Sequence, residues 1–174
     1  GLADDLVMQA CEQSTQGEIV LPVNFNSPGQ IVIAGQAEAV QRAMEACSEA
    51  GAKRAIPLPV SAPFHTPLMQ PAADRLAVDI DATDFNAPNI PVIHNVGCAP
   101  ETDPERIKQL MVEQITAPVP WVQTMEKIAG MGVTTAVECG PGRVLSGLSK
   151  RINRALTNLN IESPEALEAA VASM

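Results

Sequence analysis

Five short segments in the first 60 residues carry the apolar periodicity of a helix or a strand. In chain order they predict a helix at 3–13, strands at 18–24 and 30–35, a helix at 37–50 and a strand at 54–60. The residues Asn26-Ser27-Pro28-Gly29 lie between the first two strands and favour a hairpin turn. Gly51 follows the second helix and is typical of a C-cap.

The resulting order, α-β-β-α-β, is one strand short of a ferredoxin-like domain, which has the order β-α-β-β-α-β. A missing first strand leaves a neighbouring strand without its partner. The chain also begins at Gly1, without an initiator Met, and enters a helical pattern at once. We therefore expect residues 1–60 to be a ferredoxin-like subdomain that lacks its first strand, in a chain truncated at its N-terminus.

A second pattern of alternating helices and strands follows residue 60. It predicts helices at 68–81, 104–116, 119–129 and 143–154, strands at 91–95, 135–138 and 155–160, and one last helix. Ser163 and Pro164 suit the N-cap and the first position of that last helix. Strands separated by helices favour a parallel sheet covered by helices. The sequence thus predicts an α/β fold, with residues 61–174 as a second subdomain.

The composition is that of a globular protein with an acidic surface. The chain has 174 residues, of which 46% are hydrophobic, and a formal net charge of -9. This charge offers no basic field to a phosphate backbone, so we expect no nucleic-acid partner. No apolar run reaches the roughly 18 residues that a membrane span needs, and the N-terminus has no signal-peptide pattern. We expect a cytoplasmic protein without a membrane partner.

The spacing of the four cysteines and of His94 does not favour a metal site. Cys11, Cys47, Cys98 and Cys139 lie far apart and do not have the spacing of metal ligands, which favours free thiols in a reducing compartment. His94 lies at the end of a predicted strand without a partner at ligand spacing, so we interpret it as structural.

The other histidine, His65, lies in a proline-rich loop between a predicted strand and a predicted helix. The loop reads Pro57-Leu-Pro-Val-Ser-Ala-Pro-Phe-His65-Thr-Pro67. Loops stiffened by proline are a usual place for a catalytic imidazole. The residues alone leave two alternatives open, a catalytic histidine and a partly buried structural one.

Several segments in order along the chain resemble one enzyme family. They are Val60-Ser-Ala-Pro-Phe-His65-Thr-Pro-Leu-Met69, Asn24-Phe-Asn-Ser-Pro-Gly-Gln30, Gly51-Ala-Lys-Arg54, Glu138-Cys-Gly-Pro-Gly142 and Leu145-Ser-Gly-Leu-Ser-Lys-Arg151. They are similar to the C-terminal part of the acyltransferases that move malonyl groups from coenzyme A to acyl carrier proteins in type II fatty acid synthesis. The resemblance implies a ferredoxin-like subdomain inserted in an α/β-hydrolase-like core.

The resemblance implies a two-step acyl transfer through an acyl-serine intermediate, without a cofactor. His65 is then the general acid and base, and the backbone carbonyl of Gln114 orients its ring. The family's nucleophile lies in a G-x-S-x-G turn, which this sequence does not contain. The family's N-terminal oxyanion loop and its malonyl-binding arginine also have no counterpart here. We therefore expect the chain to be inactive alone, with a missing N-terminal half of the same enzyme as its partner.

The resemblance also suggests residues for substrate binding. Phe64 precedes His65, and a bulky residue there implies a preference for malonyl over methylmalonyl. The alternative is that Phe64 only packs the loop. Asn24, Asn26 and Gln30 surround the hairpin turn, where their amides could bind coenzyme A. Asparagine is also a common turn residue, and we weight that alternative more heavily.

The acyl carrier protein is acidic, so its docking surface should be locally basic. Lys53 with Arg54, and Lys150 with Arg151, are the candidate basic pairs, although each is also common at a helix end. Two alternatives to the fatty-acid enzyme stay open: an acyltransferase domain of a polyketide synthase, and a non-catalytic ferredoxin-like binding module.

Overall fold

A computed structural model describes residues 1–173, which pack into two compact units. The first unit comprises residues 1–121 and the second begins at Val122. The helices are α1 (Asp4–Gln13), α2 (Ala37–Glu49), α3 (Gln70–Asp81), α4 (Pro104–Glu113), α5 (Trp121–Gly130), α6 (Val144–Ile152) and α7 (Pro164–Ala172). The strands are β1 (Val20–Ser27), β2 (Gln30–Gly35), β3 (Thr135–Cys139) and β4 (Thr157–Ile161). None of the helices in this range is long and apolar enough to cross a lipid bilayer.

The first unit is built around an antiparallel hairpin covered by α1 and α2. β1 and β2 pair from Val20 with Gly35 to Ser27 with Gln30, as the turn residues predict. Gly35 is required at that end, because a Cβ there would clash with the carbonyl oxygen of Ile19. α2 ends as predicted, since Gly51 follows it with a φ of 98°.

Small side chains let the two helices approach the hairpin closely. Val20, Ala39 and Ala43 are fully buried, and Cys11 and Cys47 belong to the same cluster. Burial, and to a lesser extent the nearby Cys47, raise the pKa of the Cys11 thiol to about 12. Both cysteines are free, and they behave as small apolar core residues.

Two of the predicted strands are wrong. Residues 54–60 form no strand, because Pro57 and Pro59 lack the N–H that a ladder requires and no described strand lies beside them. Instead, the Val60 N–H donates to the carbonyl of Leu58, 2.8 Å away, in a tight local turn. The predicted strand at 91–95 is reduced to a single antiparallel bridge between Ile93 and Pro100.

That bridge stays isolated because the chain reverses direction at once. The His94 N–H donates to the Ala99 carbonyl at 3.2 Å, and Gly97 and Cys98 both have positive φ, at 81° and 46°. Two consecutive residues with positive φ are typical of a turn, because residues with a side chain rarely adopt positive φ within a strand.

The second unit contains the strand–helix–strand segment that its sequence predicts. β3 and β4 are parallel, with Thr135 opposite Thr157, and α6 connects them. α7 packs against β4, and its N-terminus is capped by Ser163, whose Oγ accepts from the Ala166 N–H at 3.2 Å. The chain is therefore a mixed α/β protein with small sheets. The predicted boundary after residue 60 concerns subdomains of a larger fold and stays a prediction.

Candidate active site

The loop that carries His65 is held by its neighbour Thr66. The Thr66 side chain is fully buried, and its hydroxyl donates to the Pro63 carbonyl at 2.7 Å. The Thr66 carbonyl in turn accepts from the Met69 N–H at 3.0 Å, in the 3-10 turn Pro67–Met69 that precedes α3. The loop is thus fixed on both sides of the histidine, while the His65 ring itself is only half-buried.

His65 adopts a backbone conformation that is unusual for a residue with a side chain. Its φ is 62°, in the left-handed region. Such a conformation costs on the order of 1–3 kcal/mol and persists only where surrounding contacts impose it. It turns the imidazole out of the direction that an extended loop would give. Strain of this kind is concentrated at functional sites, which makes the loop a candidate site.

The imidazole is anchored through one nitrogen only. Its Nδ1 lies 3.1 Å from the carbonyl oxygen of Gln114 and 3.0 Å from that of Ala117. A carbonyl can only accept, so Nδ1 carries the proton and donates to both. The hydrogen bonds of the described residues leave Nε2 unused. The arrangement therefore fixes the tautomer in which Nε2 has a lone pair available to accept a proton.

The two carbonyls come from the irregular segment after α4. Gln114 is the C-cap of that helix. The carbonyls at the end of a helix have no N–H partner within it. His65 satisfies the one of Gln114. The Gln114 side chain accepts a long hydrogen bond from Asn95, at 3.5 Å, so its backbone and its side chain face different partners. Ala117 was not predicted, because an alanine carries no side-chain signal for a backbone carbonyl that binds a ring.

A cleft of about 750 Å³ in the first unit is lined by three of the predicted substrate residues. Asn24, Gln30 and Phe64 line it together with apolar side chains from β2 and from residues 54–60. Phe64 is 48% exposed, so the loop does not pack its ring away. Asn26 lies half-buried on β1 and is not among the lining residues. The Gln30 Oε1 accepts from the Ser27 hydroxyl at 3.2 Å, which is a turn contact.

Comparison with known proteins decides the family. The family model described as "Acyl transferase domain" matches residues 1–166. The chain belongs to this acyltransferase family. It is 53% identical over 171 residues to the malonyl CoA-acyl carrier protein transacylase of Salmonella typhimurium, covering 98% of this chain and 55% of that protein. The Escherichia coli K12 protein of the same name is 51% identical, with the same coverage.

Solved structures of similar proteins have the same fold. An acyl carrier protein S-malonyltransferase from Vibrio cholerae matches with a TM-score of 0.95 and 51% identity, over 98% of this chain and 56% of that one. A malonyl-transacylase solved in complex with its type II PKS acyl carrier protein matches with a TM-score of 0.97 and 48% identity, over 100% of this chain and 56% of that one. The chain thus spans about half the length of the acyltransferases it matches.

In this acyltransferase chain, the candidate docking residues lie in separate units. Lys53 and Arg54 are exposed in the first unit, after α2, and Arg54 lines the cleft. Lys150 and Arg151 are exposed in the last turn of α6 in the second unit, where cations also offset the partial negative charge of a helix C-terminus. Their role in docking stays a prediction.

The segment around Glu138 that resembles the acyltransferases has a structural explanation. The Glu138 carboxylate accepts from the backbone N–H groups of Leu145 and Ser146, at 3.0 and 2.8 Å, and from the Asn160 amide at 3.1 Å. These bonds, first the one from the Ser146 N–H, lower the pKa of Glu138. The carboxylate thereby caps the start of α6, after a loop in which Gly140 and Gly142 both have positive φ.

The chain's other histidine, His94, differs from His65 at its Nε2. Its Nε2 is buried and has no hydrogen-bond partner among the described residues. This supports the interpretation of His94 as structural.

Proposed function

We propose that this chain is the histidine-bearing part of a longer acyltransferase that moves a malonyl group from coenzyme A to the phosphopantetheine thiol of acyl carrier protein. The supporting observation is the fixed Nδ1–H tautomer of His65, whose Nε2 is left to move a proton. The family and its malonyl-transferring relatives supply the substrate class. The serine nucleophile comes from the rest of the protein, since this sequence contains no G-x-S-x-G turn.

In the first half-reaction, Nε2 of His65 takes the serine hydroxyl proton as the oxygen attacks the malonyl thioester carbonyl. The tetrahedral intermediate collapses and breaks the C–S bond, and the imidazolium returns its proton to the coenzyme A sulfur. In the second half-reaction, Nε2 takes the proton of the carrier thiol, whose sulfur attacks the serine ester. The C–O bond breaks, and the proton goes back to the serine oxygen.

The end of α4 favours this proton shuttle electrostatically. The last carbonyls of a helix carry a partial negative charge, which stabilises a cation near them. Gln114 is the C-cap of α4 and contacts the ring directly, so it stabilises the imidazolium that forms in each half-reaction. No carboxylate is needed at Nδ1, because two carbonyls take its place.

We extend the proposal to the fold. The cleft separates the outer edge of β2 from residues 54–60, and both sides supply lining residues. A ferredoxin-like sheet needs one more strand here, and its insertion would pair both sides at once. This accounts for the absence of a strand at 54–60, since its partner is not part of this chain. The second unit, with β3, α6 and β4, is then part of the α/β-hydrolase-like core.

The proposal makes Phe64 the residue that selects malonyl. Its exposed ring lines the cleft, where it narrows the space open to a branched acyl group, and His65 itself is not among the lining residues. For docking, we propose that Lys53, Arg54, Lys150 and Arg151 receive the acidic carrier. The amides of Asn24 and Asn26 are proposed to contact the coenzyme A substrate, and Gln30 has the same proposed role beside its turn contact.

A polyketide pathway is the second candidate, because one matched structure is a malonyl-transacylase in complex with a type II PKS acyl carrier protein. The chemistry of the site is the same in both pathways. No contact among the described residues favours a non-catalytic binding module over the acyltransferase.

The proposed role of His65 predicts a covalent intermediate. The longer protein, mixed with malonyl-CoA, should gain one malonyl group by intact mass, and His65→Ala should slow that gain by about 10²–10⁴-fold. His94→Gln, which changes the chain's other histidine, should form the adduct at the wild-type rate. An absence of any adduct on the wild-type protein would support the binding module instead.

The proposed role of Phe64 predicts a change in selectivity. Phe64→Ala should raise the use of methylmalonyl-CoA relative to malonyl-CoA by about tenfold, because removal of the ring opens space for the extra methyl group. A competition assay with both thioesters measures this ratio. Phe85→Ala is the control, since Phe85 does not line the cleft. An unchanged ratio in Phe64→Ala would show that the ring only packs the loop.

The proposed docking surface predicts a selective loss of carrier binding. Lys150→Glu with Arg151→Glu should raise the KM for acyl carrier protein by about tenfold and leave the KM for malonyl-CoA unchanged, because the reversed charges repel the acidic carrier. Lys127→Glu, on α5 of the same unit, reverses one charge outside the proposed surface and controls for a general effect of added negative charge. Steady-state kinetics with each substrate varied in turn separate the two KM values. An unchanged KM for the carrier counts against the docking role.

A further inference from the structure

The segment between α4 and α5 reads Gln114-Ile-Thr-Ala117-Pro-Val-Pro120, and it carries both carbonyls that hold His65. Gln114 is fixed by the helix that ends there. Ala117 lies three residues further on, outside any helix or strand. Its carbonyl is nevertheless at 3.0 Å from Nδ1, as close as that of Gln114. Contacts beyond α4 also hold this part of the segment.

One anchor is the residue two positions later. Val119 forms a parallel bridge with Asn24 of β1. Its N–H donates to the Val23 carbonyl at 2.8 Å, and its carbonyl accepts from the Phe25 N–H at 3.0 Å. Both backbone polar groups of Val119 are thus held by the edge of the hairpin. On its other side, Ala117 donates its N–H to the Glu113 carbonyl at 3.1 Å, so the segment is tied at both ends.

Pro118 is the link between that anchor and the carbonyl. Its ring fixes its own φ near about -65°, and it restricts the preceding residue to extended conformations. The conformation of Ala117 sets the direction of its carbonyl. Pro118 is exposed, so its ring contributes little to the packing, and its effect is on the backbone.

We propose that Pro118 and Val119 form a backbone clamp that aims the Ala117 carbonyl at His65, and that they are positioning residues for the acyl transfer. Asn24, which lines the cleft, is the residue of β1 that bridges to Val119. The clamp therefore fixes the position of the imidazole relative to the hairpin. With Ala117 loose, Gln114 alone would leave the ring free to rotate about a single hydrogen bond. The catalytic part of the inference rests on the proposed function, whereas the clamp itself does not.

The test compares Pro118→Ala with Pro164→Ala, which removes an exposed proline from the start of α7 in the second unit. The His65 Nδ1–H resonance in ¹H–¹⁵N spectra of the chain reports the two hydrogen bonds without any activity. We expect its exchange with water to rise by about tenfold or more in Pro118→Ala and to stay unchanged in Pro164→Ala. In the longer protein, kcat should fall by about tenfold in Pro118→Ala with the KM for malonyl-CoA unchanged, because the ring is misaligned for the proton transfer.

Val119→Gly is the second variant, should Pro118→Ala fail to fold. It keeps both backbone hydrogen-bonding groups but frees the anchor, and it should raise the same exchange rate. An unchanged Nδ1–H exchange rate in a folded Pro118→Ala or Val119→Gly protein overturns the clamp, whatever happens to kcat. Faster exchange with an unaltered kcat supports the clamp and counts against His65 as the general base.

Discussion

The site depends on one interaction, the donation of the His65 Nδ1–H to two backbone carbonyls. It selects the tautomer, orients the ring and leaves Nε2 for chemistry. Backbone acceptors do this without introducing a charge that titrates. They also tie the ring to secondary structure directly, because a carbonyl moves only if its backbone moves.

The rest of the first unit serves to bring those carbonyls and that ring together. α4 ends at the point where its orphan carbonyl meets Nδ1, and the edge of β1 holds the residue that follows Ala117 and Pro118. From the other side, buried Thr66 fixes the loop, and the left-handed backbone at His65 turns the imidazole toward the carbonyls. The strain at His65 is offset by contacts from three separate elements, which is why it persists.

The local elements could be predicted because their signals are local. The turn at residues 26–29 and the N-cap at Ser163 are both in the structure where the sequence puts them. The absence of a strand at 54–60 could not be predicted from the local pattern, because a strand forms only beside a partner strand. The two prolines also remove N–H donors that a ladder needs. His65 stands out through its proline-rich loop, but the residues alone leave both a catalytic and a structural role open.

The carbonyls illustrate a harder limit. Gln114 was identified through the resemblance, not through its side chain, which points to Asn95. Ala117 has no side-chain chemistry at all, and only the three-dimensional path of the backbone reveals its role. The prolines on either side of Val119 were the available signal, since a proline marks a place where the backbone direction is fixed.

The tautomer of His65 is tested most directly by the ¹⁵N chemical shifts of its two ring nitrogens in the uncharged ring. We expect the protonated-nitrogen shift at Nδ1 and the lone-pair shift at Nε2. A spectrum with the proton on Nε2 would contradict the account, because Nδ1 could then not donate to Gln114 and Ala117, and Nε2 could not act as the base.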